Sequence, residues 1–252
     1  MNIDLAGKNV LVTGASRGIG AAIARGMGAA GARVALHFRR ERDAAVSLAR
    51  ELGAGAEAFG ADLARAADCE RLWEAVLQRF GRIDVLVNNA GIAHSSALEQ
   101  DSAAWLEQWD ETLAVNLRAS ALLCRFAIGH FKQRGGGRII NISSRAAFRG
   151  DQPEYLAYAA SKGGMVALTR SIARYFGKAG IVAFNVAPGF TRTEMAQAFF
   201  DQYGADYGTN DIALTRLTEP GDIAPMVVFL ASGLADHATG STIDINAASY
   251  VR

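Results

Sequence analysis

Asn9-Val-Leu-Val-Thr13-Gly14-Ala-Ser-Arg-Gly18-Ile-Gly20 is the stretch whose reading decides the fold. Its first half is a short run of β-branched residues and leucine between Gly7 and Gly14, the pattern of a parallel strand buried on both faces. Its second half spaces three glycines as Gly-x3-Gly-x-Gly and leads into an apolar, alanine-rich helix that stops at Gly31. Strand, glycine turn and helix make the first half of a βαβ unit. Glycines let a backbone pass close to a phosphate, and the helix N-terminus supplies unpaired N–H groups and positive potential. The spacing is not the Gly-x-Gly-x-x-Gly of ordinary dinucleotide domains, so the strand before and the helix after carry the reading.

The same alternation continues outward. Arg33–Phe38 reads as a second strand, Asp43–Leu52 as a helix, Ala56–Gly60 as a third strand ending near Asp62 and Leu63, and Ala67–Phe80 as an amphipathic helix. Ile83–Val87 is a fourth strand that runs into Asn88-Asn89-Ala90-Gly91, where small and amide residues stand at a strand's carboxyl end. Asp101–Gln133 is helical with at most a brief break, Arg138–Ile142 a fifth strand, and a further helix reaches about Lys178. Ile181–Val186 is a sixth strand ending in Ala187-Pro188-Gly189; a last helix opens at Pro220 and a last strand covers Ser241–Ile245. Thr191–Thr209 mixes aromatic, glycine and polar residues with poor periodicity, which predicts a mobile lid. The expected fold is α/β: a single-domain, Rossmann-like, doubly wound parallel sheet of about seven strands with helices on both faces, spanning residues 1–252.

Composition excludes several classes. Twenty-six basic against 25 acidic residues give a net charge of +1, so no basic field is present for nucleic acid. Cys69 and Cys124 are far apart in sequence, which argues against a disulfide framework or zinc site and fits a reducing compartment. His37, His94, His130 and His237 show no ligand spacing, so no metal is expected. Met-Asn-Ile-Asp-Leu at the N-terminus is no signal peptide and no apolar run was expected to reach transmembrane length; a cytoplasmic protein without membrane contact is the expectation.

Two local arrangements point to chemistry. Lys162 follows Tyr158 by four positions, which on a helix sets the ammonium beside the phenol; a cation there favours phenolate and predicts a lowered tyrosine pKa. At the end of the second strand, where an acid would bind an adenosine ribose, stand Arg39-Arg40-Glu41-Arg42. Arg39 with Arg17 of the glycine turn could clamp a 2′-phosphate, or the run could be a solvated charged face. Asn116, within an apolar helical segment, is either a structural hydrogen-bonder or part of a polar site.

Taken in order, Thr13-Gly14-x3-Gly18-x-Gly20, Asn88-Asn89-Ala90-Gly91, Asn116, Ser144, Tyr158-x3-Lys162 and Pro188-Gly189 resemble the short-chain dehydrogenase/reductase family end to end, most closely its 3-oxoacyl-[acyl-carrier-protein] reductases. The resemblance implies an NADP-dependent oxidoreductase acting on a ketone or 3-oxoacyl carbonyl. Tyr158 would be the general acid and base. Lys162 would lower its pKa and hold the nicotinamide ribose, Ser144 would orient the carbonyl, and Asn116 would anchor a water for proton return. Gly14, Ser16, Arg17, Gly18, Ile19 and Gly20 would line the phosphates and ribose, with Arg39 nearby and Asp62 and Leu63 at the adenine. Asn89, with Ala90 and Gly91, would meet a ribose; Pro188, Gly189, Thr191 and Thr193 would lie beside the nicotinamide. NADP(H) is the expected cofactor with NAD(H) as the alternative, a small carbonyl or alcohol the substrate, and a homo-oligomer, tetramer or dimer, the assembly.

Three features depart from the family pattern. Ser144 and Tyr158 are one residue further apart than usual, with Pro153-Glu154 in the interval, so Ser143 is a substitute to be weighed. The end reads Asp244-Ile-Asn-Ala-Ala-Ser-Tyr-Val-Arg252, where Asp-Gly-Gly is commoner, in a region around which the family's tetramer packs. Arg39-Arg40-Glu41-Arg42 mixes an acid into a basic run. The competing expectations are an NAD-linked alcohol or sugar dehydrogenase and a nucleotide-sensing scaffold without catalysis; the scaffold would have no need of Tyr158, Lys162, Ser144 and Asn116 together. Phe199, Phe200, Tyr203 and Tyr207 suggest an aromatic, largely apolar pocket, or equally the packing of a lid.

Overall fold

Val10 and Val12 point into one apolar layer and Leu11 into the other, all three essentially without exposure, so the first strand is already sandwiched on both faces. The computed structural model describes residues 3–204 and 206–251; Met1, Asn2, Ala205 and Arg252, at the ends or middle of stretches considered above, lie outside them. Seven strands form one parallel sheet: β1 (Asn9–Val12), β2 (Arg33–Phe38), β3 (Glu57–Gly60), β4 (Val85–Asn88), β5 (Gly137–Ile142), β6 (Ile181–Pro188) and β7 (Thr242–Ile245). Their order is β3-β2-β1-β4-β5-β6-β7, every neighbouring pair parallel. The order reverses between β1 and β4, and in such sheets the crevice at the carboxyl ends beside the reversal is where ligands bind.

Helices α1 (Gly18–Ala29), α2 (Arg42–Leu52) and α9 (Pro220–Ala231) supply the core on one face. The other face is covered by α3 (Ala66–Phe80), α5 (Ala119–Arg134) and α7 (Leu156–Phe176). Three further helices complete the set: α4 (Ser102–Leu113), the short α6 (Ala146–Arg149) and α8 (Glu194–Tyr203). Strand and helix boundaries match the sequence reading to within two residues at most ends. The segment expected to be a lid without periodicity differs, since α8 runs through it, capped by the Thr193 hydroxyl on Ala196 N–H. Its apolar residues pack as rings on rings: Phe199 stacks on Tyr155 at 4.5 Å and Tyr203 on Tyr207 at 4.8 Å.

Helix α4 continues into α5 through a π-helical turn, Ala114–Arg118, that carries Asn116. Within the continuous run Ser102–Arg134, 33 residues, the most apolar 18-residue window has mean hydropathy 1.2, enough by length and composition to cross a membrane, contrary to the expectation above. Half of its most apolar window is buried inside the fold, as in a core helix.

A row of amides crosses the sheet. Asn88, Asn141 and Asn185 stand in register on β4, β5 and β6, each buried. Asn88 Nδ2 donates to Asn141 Oδ1 at 2.8 Å, and Asn141 Nδ2 donates to the Thr169 hydroxyl of α7 at 2.7 Å. The Thr169 hydroxyl lies 3.0 Å from Asn185 Oδ1, so α7 is tied to three strands at once. Asn88 Oδ1 and Asn185 Nδ2 have no partner at the two ends of the row.

Ala247 and Ala248 lie in the left-handed region at φ 51° and 57°. A Cβ in that conformation costs about 1–2 kcal/mol per residue, partly offset by the greater unfolded-state freedom of glycine. Ala247→Gly or Ala248→Gly is therefore expected to raise the unfolding free energy by about 0.5–1 kcal/mol, read as a higher urea midpoint at unchanged slope.

Candidate active site

The glycine turn and the end of β4 are built as one unit. Gly14 and Gly18 sit at φ 64° and 55°, and a Cβ added to Gly20 would lie 2.1 Å from Gly14 O, so no other residue fits the turn. The Thr13 hydroxyl accepts the N–H groups of Asn89 (2.9 Å) and Ala90 (3.0 Å). Asn89 Nδ2 donates back to Thr13 O and Gly14 O, at 2.9 and 3.1 Å. His37 at the end of β2 accepts Gly14 N–H on Nδ1 at 3.0 Å, and its Nε2 lies 3.1 Å from Ala61 O. Burial pushes the His37 pKa down to about 4, so the ring is neutral and its single proton sits on Nε2, the side facing a carbonyl. His37 and Thr13 were not singled out in the sequence as positioning residues; a lone histidine inside a strand carries no motif.

Arg17, at the N-cap of α1, makes no side-chain cap, so the first N–H groups of that helix are left for a ligand. The turn, Ser16, Ile19, Arg39, Asp62, Leu63, Asn89, Ala90 and Gly91 line one cleft with Ser144, Tyr158, Lys162, Pro188, Gly189, Thr191 and Thr193. Its volume is about 1160 Å³, enough for a dinucleotide and a small second molecule. Asn116 lies just behind Gly91, whose Cβ would stand 3.4 Å from Asn116 Oδ1 and 3.3 Å from Lys162 Nζ.

Three details differ from the sequence expectation. Arg17 and Arg39 are not free: Arg17 pairs with Glu194 of α8, and Arg39 with Asp62 at 3.2 Å and Glu111 at 3.4 Å. Asn89 has both amide donors engaged by the turn, so only its oxygen is open to a ligand. The cleft beyond Ser144 is not largely apolar; Phe190, Phe199 and Tyr207 line it together with Arg145, Arg149, Asp151 and Gln152.

Lys162 is buried, and its Nζ donates to Ile142 O at the end of β5 at 2.9 Å. Asn116 Nδ2 donates to Ile92 O (2.9 Å) and Ser161 Oγ (3.0 Å), while its oxygen accepts Ile92 N–H at 2.8 Å. A π turn rather than an α turn presents this amide to the loop after Gly91, the placement in which such turns recur at functional sites. Both amide hydrogens are donated and Oδ1 accepts one bond, so Asn116 is fastened at the edge of the site with one acceptor position left. Ser143 is committed as well, donating to Lys162 O at 3.0 Å. Ser144 hydrogen-bonds the Tyr158 phenol despite the longer interval, which is taken up by α6 and a 3₁₀ turn over Pro153–Tyr155.

The Tyr158 pKa is not lowered as the spacing predicted. Burial pushes it up to about 12; the Ser144 hydrogen bond pulls it down, and nearby Asp151 adds to the rise. Burial brings Lys162 down to about 8. Lys162 Nζ is 5.7 Å from the Tyr158 ring centre and is directed at Ile142 O, so the two groups are neighbours on the cleft wall without the cation neutralising the phenolate.

With this geometry in view, the sequence profile of the family described as Enoyl-(Acyl carrier protein) reductase matches residues 14–247. The chain belongs to the short-chain dehydrogenase/reductase family. It is 37% identical over 245 residues to D-threitol dehydrogenase of Mycolicibacterium smegmatis, covering 96% of this chain and 92% of that one. The crystal structure of 3-ketoacyl-(acyl-carrier-protein) reductase from Brucella melitensis complexed with NADH superposes with TM-score 0.90 at 32% identity, over 98% of this chain and 100% of that one. A short-chain dehydrogenase from Burkholderia cenocepacia in complex with NADP superposes with TM-score 0.88 at 33% identity, over 97% and 98% of the two chains. As a member of this family the chain is an oxidoreductase.

The two buried shifts give folding stability opposite pH slopes. From about pH 8 to 10.5 the unfolded chain holds the Lys162 proton that the folded chain has lost, so stability rises with pH. From pH 10 to about 12 the folded chain keeps the Tyr158 proton that the unfolded chain loses, so stability falls. In unfolding curves collected across this range, Lys162→Met should remove a rise of up to about 3 kcal/mol, and Tyr158→Phe should remove the fall.

Proposed function

We propose that this chain is an NADPH-dependent reductase of small ketones or 3-oxoacyl compounds, with Tyr158 as general acid. The observation that carries the reading is the convergence of Ser144, Tyr158 and Lys162 at the inner end of a cleft whose outer end is the open N-terminus of α1. The residues present fit a dinucleotide. The turn is closed to any side chain at Gly20, and the α1 N–H groups suit a pyrophosphate. Arg39 and Arg17 stand on the cleft wall where a 2′-phosphate could replace their carboxylate partners. When bound, the cofactor would supply the hydride.

The protein supplies position and a proton. Ser144 donates a hydrogen bond to the carbonyl oxygen and fixes its plane against the cofactor face. As hydride reaches the carbon, charge grows on that oxygen and the Tyr158 phenol releases its proton to it. A phenol with a pKa of about 12 stays protonated at neutral pH, which suits donation to a carbonyl better than abstraction from an alcohol. Lys162, at about 8, is mostly charged at pH 7 and stands between Ile142 O and the cleft. A second reading is an NAD-linked alcohol or sugar dehydrogenase. The pairing of Arg39 with Asp62 and Glu111 favours it, since those acids could instead meet ribose hydroxyls. The proposal includes a cytoplasmic homo-oligomer, tetramer or dimer, acting without nucleic acid or membrane.

Tyr158→Phe is expected to lower kcat by roughly 10²–10⁴-fold while leaving cofactor affinity, followed by fluorescence titration, unchanged; full turnover in that variant would sink the mechanism. The ratio of kcat/KM for NADPH over NADH should exceed one. Arg39→Asp should shift it toward NADH by about tenfold or more, the worth of a charge-assisted hydrogen bond; a ratio that does not move would assign Arg39 to the carboxylates alone.

A further inference from the structure

Arg145 directly follows Ser144 and is the most enclosed arginine side chain among the ion-paired ones, 10% exposed. Its guanidinium lies 5.0 Å from the Phe190 ring centre and donates one N–H, from Nη1, to Asp211 Oδ2 at 2.9 Å. Arg149, one turn further along, reaches the same Asp211 oxygen. Two guanidinium groups therefore share a single carboxylate oxygen. Asp151 attracts both arginines through space but makes no direct ion pair with either, and its carboxyl accepts Gln152 N–H at 2.9 Å. Arg145 and Arg149 line the same cleft as Ser144. A guanidinium offers five N–H groups in a planar fork, and one bond to one oxygen leaves most of that fork unused. Burial, and then the neighbouring Arg149, lower the Arg145 pKa, while Asp211 and Asp151 oppose the shift.

Asp211 sits in the segment after α8, 42% exposed, and comes to the arginines from the solvent side. It shows that the place accepts a carboxylate.

We infer that Arg145 and Arg149 bind the carboxylate of the substrate, so that the compound whose carbonyl meets Ser144 and Tyr158 is a short oxo acid (or the matching hydroxy acid in reverse) rather than a neutral ketone or a thioester. The substrate carboxylate takes over the arginine fork from Asp211, and Phe190 stacks beneath the guanidinium and keeps it in plane. Arg145 and Arg149 are specificity-determining residues in this scheme and take no part in proton transfer. The inference rests on the carbonyl-reductase reading for its orientation, but not for its binding step.

The test compares short oxo acids with their methyl esters, and with 3-oxoacyl thioesters, in the wild type and in Arg145→Met and Arg149→Met. The wild type should prefer the acid over the ester in kcat/KM by about tenfold or more, as loss of a charge-assisted bond implies. Arg145→Met should erase that preference by raising KM for the acid with kcat nearly kept, and Asp211→Asn should leave the preference in place. Because Arg145 is packed over Phe190, Arg149→Met carries the test if Arg145→Met does not fold. Binding is read separately by calorimetric titration of the same acid and ester into NADPH-loaded Tyr158→Phe enzyme, with and without Arg145→Met. Absence of turnover together with acid-selective, arginine-dependent binding would refute the reductase reading and keep this one. Equal affinity for acid and ester, equal losses for both in Arg145→Met, or a stronger preference for a phosphorylated ketone would overturn it and leave the arginines as a fastening for the segment after α8.

Discussion

A lysine ammonium removed from water needs a carbonyl in its place, and the bond from Lys162 to Ile142 O is the contact on which the site depends. It fixes the head of the Lys162 side chain to the end of β5, and Ser143 holds the backbone of the same residue to the same strand. With both ends of Lys162 tied, the turn of α7 that carries Tyr158 has one distance from the sheet. A side chain at Gly91 would crowd this arrangement, since its Cβ would stand 3.3 Å from the ammonium and 3.4 Å from Asn116 Oδ1.

The opposite wall of the cleft is assembled on the same logic, with side chains replacing water for backbone groups at strand ends. Thr13-Gly14 and Asn89-Ala90 are joined by four hydrogen bonds across the ends of β1 and β4, two of them between Thr13 and Asn89, and His37 joins β2 to the turn. These groups do no chemistry. They leave the N-terminus of α1 open because the chain spends its polar side chains on the loops around it. Helix α8 closes over this edge, with Glu194 on Arg17 and the Thr193 methyl next to Gly18.

Much of this was legible in the sequence, because strand-turn-helix punctuation and glycine spacing are local properties. Gly14, Gly18 and Gly20 could be placed on a turn, and Tyr158 and Lys162 on one helix face, from spacing alone. The helix α8 was hidden because its apolar residues serve ring stacking with Tyr155, Phe190 and Tyr207 instead of a period that faces the sheet. The direction of the Tyr158 shift was misjudged because sequence distance says nothing of burial, which outweighs the cation here. The partners of Arg17 and Arg39 come from residues far along the chain, Glu194 and Glu111, so only the fold could reveal them. The π turn at Asn116 left no trace beyond a polar residue in an apolar stretch.

The row Asn88, Asn141 and Asn185 has a bearing on how the molecule comes together. The full set of bonds along the row forms only when β4, β5, β6 and Thr169 of α7 are all in place, and a missing member leaves at least one further buried polar group without its partner. A strand shifted by one residue would turn its asparagine to the opposite face of the sheet and break the row. The row therefore acts as a checksum on strand registration. It also couples the helix bearing Tyr158 to the middle of the sheet, so that this helix cannot peel away alone without exposing the cost of two or three unpaired amides. Amide hydrogen exchange along α7 near Thr169 would accordingly follow opening of the central strands rather than fraying of the helix itself.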